Sequence, residues 1–195
     1  MTHLYATPAK QLRELYGTKK FVETGCEDGE GLSLAKSYGF LESDLYSCDI
    51  RLEAVEKVSA MLPLAHVVNM DSLVFLTALL PVLHGPTMFW LDAHFPELYN
   101  AEATLETNWP LLAELELIRT LKTDISQDII ICDDMRVIQS PSNPRWNEAE
   151  MQRDGVQYIV PLNDWQDFVG ILGETHTHES ILVDTGISIF YPKGK

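Results

Sequence analysis

The sequence predicts an α/β fold built on a doubly wound, mostly parallel sheet that closes with an antiparallel hairpin. Three observations carry this. Short β-branched and aromatic runs alternate with segments of helical apolar spacing, the pattern of strands joined by crossover helices. Runs such as "MFWL" and "IIIC" are apolar without alternation, as strands covered on both faces are. The stretch "HESILVDTGISIFYP" reads instead as two strands meeting at Asp184-Thr185-Gly186, a hairpin in place of a crossover.

The elements follow in order. Residues 8–16, "PAKQLRELY", suit a leading helix that Gly17 ends. Strands are expected at 20–24, 44–49, 65–70, 87–92 and 127–133, the last with Ile129 to Ile131 as its apolar heart. Leu52, Val55 and Val58 mark the apolar stripe of one helix. Leu111, Leu115 and Ile118 mark another, opened by Asn108 as N-cap with Pro110 in the first turn. Glu114 and Glu116 read as its solvated side. Segments 93–108 and 135–156 have no clear period and follow strands, so they are expected as lid loops over the carboxyl edge of the sheet. Phe95, Tyr99 and Trp146 favour that reading. A single domain over 1–195 is expected, with 1–18 as its leading helical segment.

Composition narrows the partners. With 46% hydrophobic residues the chain is ordinary globular protein, and its formal charge of −15 repels phosphate backbones and anionic membrane surfaces. A small-molecule partner is expected, and no nucleic acid or membrane. Cys26, Cys48 and Cys132 are an odd count without metal-ligand spacing, which suits reduced thiols in a cytoplasmic protein. The opening "MTHLYATPAK" lacks the apolar core of a signal peptide, and no run reaches the length of a membrane span.

The chemistry concentrates at "KFVETGCEDGEGLSLA", residues 20–35. A strand leads into a turn with Gly25, Gly29 and Gly31, then a helix. Ligands of open α/β sheets bind outside the carboxyl ends of the strands, at the switch point in strand order, and glycines there let backbone approach a ligand. The spacing is not that of a dinucleotide fingerprint. The turn also carries Glu23, Glu27, Asp28 and Glu30, which suit a ligand with positive charge, such as an amine or a sulfonium.

"VETGCEDGEG" resembles motif I of the class I, Rossmann-like, S-adenosylmethionine-dependent methyltransferases. The resemblance runs from about residue 18 to 192 as an ordered set of motifs, and it implies their seven-stranded sheet with a reversed last strand. It implies that Glu23 lies near the methionine amino group, with Gly25 and Gly29 making room for the cofactor. It places Asp49, at the end of the second strand, on the ribose hydroxyls, and Asp71 and Ser72 of "NMDS" against adenine.

"FWLDAHF" and "IIICDDMR" each end a buried strand in carboxylates at the same edge. Asp92, Asp133 and Asp134 would converge beside the cofactor's methyl group, where a hard cation such as Mg²⁺ relieves their repulsion. This is similar to the metal-dependent catechol-type O-methyltransferases, although the second pair here is Asp-Asp rather than Asp-Asn. Their lysine base falls at Phe95, so the neighbouring His94 is the expected base, with Asp92 beside it as the second catalytic group. The same acids also suit helix caps. His176 and His178 are expected on the surface before the sixth strand, and Trp109 and Trp165 as packing residues. The expected function is methyl transfer to a hydroxyl of a small molecule. Its rivals are a binding module without transfer and a metal-dependent hydrolase.

Overall fold

In chain order the computed structural model runs α1 (Ala9–Tyr16), β1 (Lys20–Thr24), α2 (Glu30–Ser37), β2 (Leu45–Asp49), α3 (Leu52–Met61) and β3 (His66–Asn69). It continues with α4 (Ser72–Leu79), β4 (Thr87–Leu91), α5 (Leu111–Leu121), β5 (Ile129–Cys132), β6 (Gln152–Arg153), β7 (Val156–Gln157), α6 (Asp164–Ile171), β8 (His176–Ile181) and β9 (Ile187–Pro192). It describes Leu4 and residues 7–93, 110–133, 152–153, 156–157, 164–181 and 186–194. Seven strands form one sheet in the order β3-β2-β1-β4-β5-β9-β8. β1 to β5 are mutually parallel, and β9 runs antiparallel to both β5 and β8. The expected Rossmann-like architecture with its reversed terminal hairpin is what forms.

Most strands are a residue or two shorter than the sequence suggested. Two differences are larger. β8 begins at His176, so both histidines lie within the strand rather than before it. The pair β6 and β7 forms a separate antiparallel ladder, Gln152↔Gln157 and Arg153↔Val156, overlapping the end of the segment expected as the lid loop 135–156.

The sheet divides two apolar clusters. On one side α1, α2 and α3 pack Ala9, Leu32, Ala35, Ala54 and Val58 over Phe21, Leu45, Met88, Trp90, Ile129 and Ile131. On the other, α4, α5 and α6 pack Phe75, Leu76, Leu111, Leu115, Ile118 and Phe168 over Val22, Phe89, Leu91, Ile130 and Phe190. Every residue of β4 and β5 is buried. Each such large side chain contributes about 1.5–3 kcal/mol when removed from water, so the strand ends at the middle of the sheet are held firmly. Leu52 is a correction: it is 53% exposed, and the buried stripe of α3 is Ala54, Val55 and Val58. Among the described residues no helix is long and apolar enough to cross a membrane.

Topology fixes where a ligand goes. From β1 the chain winds outward through β2 to β3, then returns to the other side of β1 with β4. The strand order therefore reverses between β1 and β4, and the crevice lies at their carboxyl ends. Gly25 follows β1 there, and Asp92 follows β4.

Candidate functional site

Register puts the site's acids in one row. Thr24 pairs with Cys48 and with Leu91, and Leu91 pairs with Cys132. The ladder continues one residue further, because the amide of Asp92 donates to Thr24 O at 3.2 Å and that of Asp133 to Leu91 O at 3.1 Å. The next row is therefore Asp49, Gly25, Asp92 and Asp133. Side chains alternate along a strand, so these carboxylates share the face of Phe21, Leu45, Met88 and Ile129, with Glu23 one step below on β1.

The turn after β1 is clamped to β2. The amides of Gly25 and Cys26 both donate to Cys48 O, each at 3.0 Å, and that of Gly29 closes back on Cys26 O at 2.7 Å. Gly25 has φ +82°, and a Cβ there would lie 2.8 Å from the carbonyl oxygen of Asp92. No side chain fits between the two strand ends, so this position requires glycine. Gly29 differs from the expectation. Its missing Cβ faces Met61 and Val58 of α3, so this glycine lets two helices pack rather than clearing the cleft. Cys26 is buried, and burial pushes its thiol up to about 12, so it is an inert packing group.

Glu23 is 2% exposed. Ser47 donates to its Oε2 at 3.2 Å and to its backbone carbonyl at 2.9 Å. Its other oxygen occupies the space of a missing side chain: a Cβ on Gly31 would stand 1.9 Å from Oε1. Burial, first, and then the charges of Asp92, Asp49 and Glu27 push its carboxyl well above the usual range, against the Ser47 bond. A buried acid among acids is an electrostatic socket for a cation.

Asp49, 7% exposed, is already fully dressed. Its Oδ2 accepts from the amide of Glu27 at 2.9 Å, and its Oδ1 from the amide of Arg51 at 2.9 Å. Glu27 reaches it with φ +41°, unique among the described non-glycine residues in being positive. The Arg51 guanidinium completes the set, Nε to Oδ1 at 3.2 Å and Nη2 to Oδ2 at 3.4 Å. Asn69 ties the end of β3 to β2, its side-chain amide donating to Asp49 O at 2.9 Å.

Asp71 caps α4, its Oδ1 accepting from the amides of Leu73 at 2.9 Å and Val74 at 3.4 Å. Ser72 is buried beneath it. Both follow β3 at the carboxyl edge, two strands from the crevice. Beyond β4 and β5, Asp92 and Asp133 stand side by side, and the Trp90 indole N–H donates to Asp92 Oδ2 at 3.3 Å. Asp133 is 2% exposed. Two carboxylates are the oxygen donors a hard divalent cation takes, with water or substrate oxygens completing its shell. Among the described residues no group of three or more His, Cys, Asp or Glu side chains is placed for a metal. Asp134 and His94, with Asn108, Trp109 and Asp184 and the side chain of Trp165, lie outside the described residues.

Other expectations are corrected. His176 is 3% exposed and locked, its Nε2 to Asp128 O at 3.1 Å and Nδ1 to Thr175 Oγ1 at 2.7 Å. Burial lowers its pKa, so it is a neutral strut at the base of the sheet and not a surface residue. His178 is half-buried, its Nε2 near Ser180 Oγ at 3.0 Å and Ser188 Oγ at 3.2 Å. Glu114 is wholly buried beside Leu111, Leu115 and Ile118, with Cys48 and Cys132 in reach of its charge; only Glu116 is solvated. The sequence reading missed Ser47, Gly31 and Arg51 as parts of the site. Gly31 and Arg51 did have signals: the third glycine of the turn, and a base two residues after the strand-end acid.

No protein-family profile matches the chain, and no curated protein matches it in sequence. Solved structures do match in fold. A candidate caffeoyl-CoA O-methyltransferase from Staphylococcus aureus superposes with TM-score 0.64 at 15% identity, covering 98% of this chain and 84% of that one. The O-methyltransferase TomG from Streptomyces achromogenes, in complex with S-adenosylmethionine, gives 0.60 at 15% identity over 95% and 78%. The Podospora anserina methyltransferase PaMTH1, bound to S-adenosylhomocysteine, gives 0.57 at 12% identity over 100% and 80%. The chain therefore has the Rossmann-like fold of S-adenosylmethionine-dependent methyltransferases.

Proposed function

We propose that the protein is an S-adenosylmethionine-dependent O-methyltransferase acting on a hydroxyl of a small molecule. The observation that carries the reading is the buried Glu23 carboxyl, seated in the Gly31 gap at the switch point of the sheet, its pKa raised first by burial and then by neighbouring acids. A pyrophosphate is repelled there, whereas a ligand with an ammonium and a sulfonium is drawn in. TomG and PaMTH1 hold S-adenosylmethionine and S-adenosylhomocysteine in the same fold.

In this reading Glu23 receives the cofactor's ammonium, and Gly25 leaves space for its backbone-side approach. Asp49 takes the ribose hydroxyls, with Asp71 and Ser72 at the adenine end. Asp92 and Asp133 would line the side of the crevice where the acceptor meets the methyl group. When bound, the cofactor would supply an activated methyl group that passes to the acceptor oxygen as the carbon–sulfur bond breaks and sulfur keeps the electron pair as a neutral thioether. The acceptor's proton leaves to His94 or to Asp92. Most of the acceleration comes from holding donor and acceptor in line.

Metal assistance is the finer part of the proposal. Asp92, Asp133 and Asp134 would hold Mg²⁺, which supplies a lowered hydroxyl pKa and a fixed direction of attack. Mg²⁺ should then raise the melting temperature and chelator should remove the gain; no response would leave methyl transfer with a side-chain base alone.

The test of function is transfer of labelled methyl from S-adenosylmethionine to a panel of hydroxylated acceptors, with Asp92→Asn as control. Transfer to at least one acceptor, lost in the variant, is expected. Tight S-adenosylhomocysteine binding without any transfer would favour a binding module.

A further inference from the structure

We propose that Arg51 is a built-in competitor for the cofactor's ribose, a side chain that fills the Asp49 site until vicinal hydroxyls displace it. The inference rests on the cofactor reading above and concerns how that same site is regulated.

A carboxylate has about four lone-pair directions, and Asp49 meets four donors: two backbone amides, from Glu27 and Arg51, and two guanidinium nitrogens of Arg51. The Glu27 amide belongs to the glycine turn and the Arg51 amide to the entry of α3, so neither can leave without local unwinding. They orient the carboxylate and stay. The guanidinium is on a flexible stem and is 21% exposed, so it can swing to water. Two ribose hydroxyls could then take the two positions it vacates, one on each oxygen.

The surroundings explain why the free protein needs a stand-in. Asp49 adds its charge to Glu23, along with Asp92 and Glu27. An empty crevice would hold these acids close together in a poorly solvated place, and the Arg51 guanidinium, 3.2 Å from Asp49 Oδ1, is the cation that offsets them. When a cationic cofactor enters, the requirement reverses. The ligand neutralises the acids and a neighbouring guanidinium becomes a like charge. Binding and Arg51 release are therefore coupled, and the free protein binds less tightly than its carboxylates alone would allow.

The test is calorimetric titration of S-adenosylhomocysteine and of adenosine into the full chain as wild type, Arg51→Gln, Arg51→Lys and Asp49→Asn. Adenosine isolates the ribose end. Arg51→Gln should tighten both ligands by roughly two- to fivefold, the scale of a partly exposed ion pair. Arg51→Lys, which keeps the charge without the fork, should fall between wild type and Arg51→Gln. The Arg51 Nε–H resonance in the wild type should lose its protection when ligand is added. Unchanged or weaker binding by Arg51→Gln, with wild-type binding intact and Asp49→Asn weaker, overturns the competitor and spares the cofactor reading. Failure of wild type and Arg51→Gln alike to bind either ligand overturns both.

Discussion

Replacing Gly31 with alanine sets two effects against each other. Alanine is the better helix former, and at the second position of α2 it gains at most about 1 kcal/mol over glycine. Its Cβ, however, would stand 1.9 Å from Glu23 Oε1 and 3.1 Å from Cδ. Ordinary contact requires the carboxyl to retreat by roughly 1.5 Å, beyond reach of the Ser47 hydroxyl. Losing that bond costs about 1 kcal/mol, so the two terms nearly cancel and the melting temperature should move by less than about 4 °C. Ligand binding has no such compensation. A displaced Glu23 loses a charge-assisted bond to the ammonium, about 1.5–3 kcal/mol, or roughly ten- to hundredfold in Kd for S-adenosylhomocysteine. The double variant isolates the cause. In a Glu23→Ala background there is no carboxyl to displace, so Gly31→Ala should then leave Kd unchanged. An equal loss in both backgrounds would show that Gly31 acts on something other than Glu23.

Three further outcomes follow from the same geometry. Glu23→Gln should make the unliganded protein more stable at pH 8, because burial among acids disfavours the charged form of Glu23 in the folded state. With a folded pKa above its ordinary value, wild-type Glu23 takes up a proton in the folded state first as pH falls toward about 4.5, so the urea-measured gap between the two proteins should narrow on acidification; a widening gap would contradict the shift. Gly25→Ala should cost about 1–3 kcal/mol in urea unfolding, since it adds a left-handed non-glycine residue and a contact of 2.8 Å with a backbone oxygen; a neutral substitution would mean the crevice is wider than described. At the opposite end of the sheet, buried Lys122 lies between Asp124 and Asp128, 3.3 Å from Asp128 Oδ2. Lys122→Met should cost about 3–5 kcal/mol at pH 8 by stranding Asp128, whose carboxyl burial already pushes up to about 7, and should recover part of it near pH 5; a loss under 1 kcal/mol would refute the clasp.

What was legible in the sequence depended on how local its cause was. "MFWL" and "IIIC" fitted strands buried on both faces, and the acids that follow them had to emerge at one edge once the strands were parallel. Gly25 was legible for the same reason. Glu114 was misjudged by residue type, although its spacing from Leu111, Leu115 and Ile118 puts it on the buried stripe of α5. His176 was not legible, because its burial depends on Asp128 O, which only the folded sheet brings within 3.1 Å. The role of Gly31 needed the direction of the Glu23 side chain, and Gly29 needed α3 packed against the turn. Strand-end chemistry can be read from order along the chain, whereas what a missing Cβ makes room for cannot.

The central claim is that the acid-lined turn holds a cationic adenosyl cofactor rather than a dinucleotide. Parallel titration of the wild-type chain with S-adenosylhomocysteine and with NAD tests it most directly. Saturable one-to-one binding of S-adenosylhomocysteine, with a rise in melting temperature that grows with ligand concentration and no response to NAD, is the predicted result. Binding and stabilisation by NAD, with none by S-adenosylhomocysteine, would contradict it.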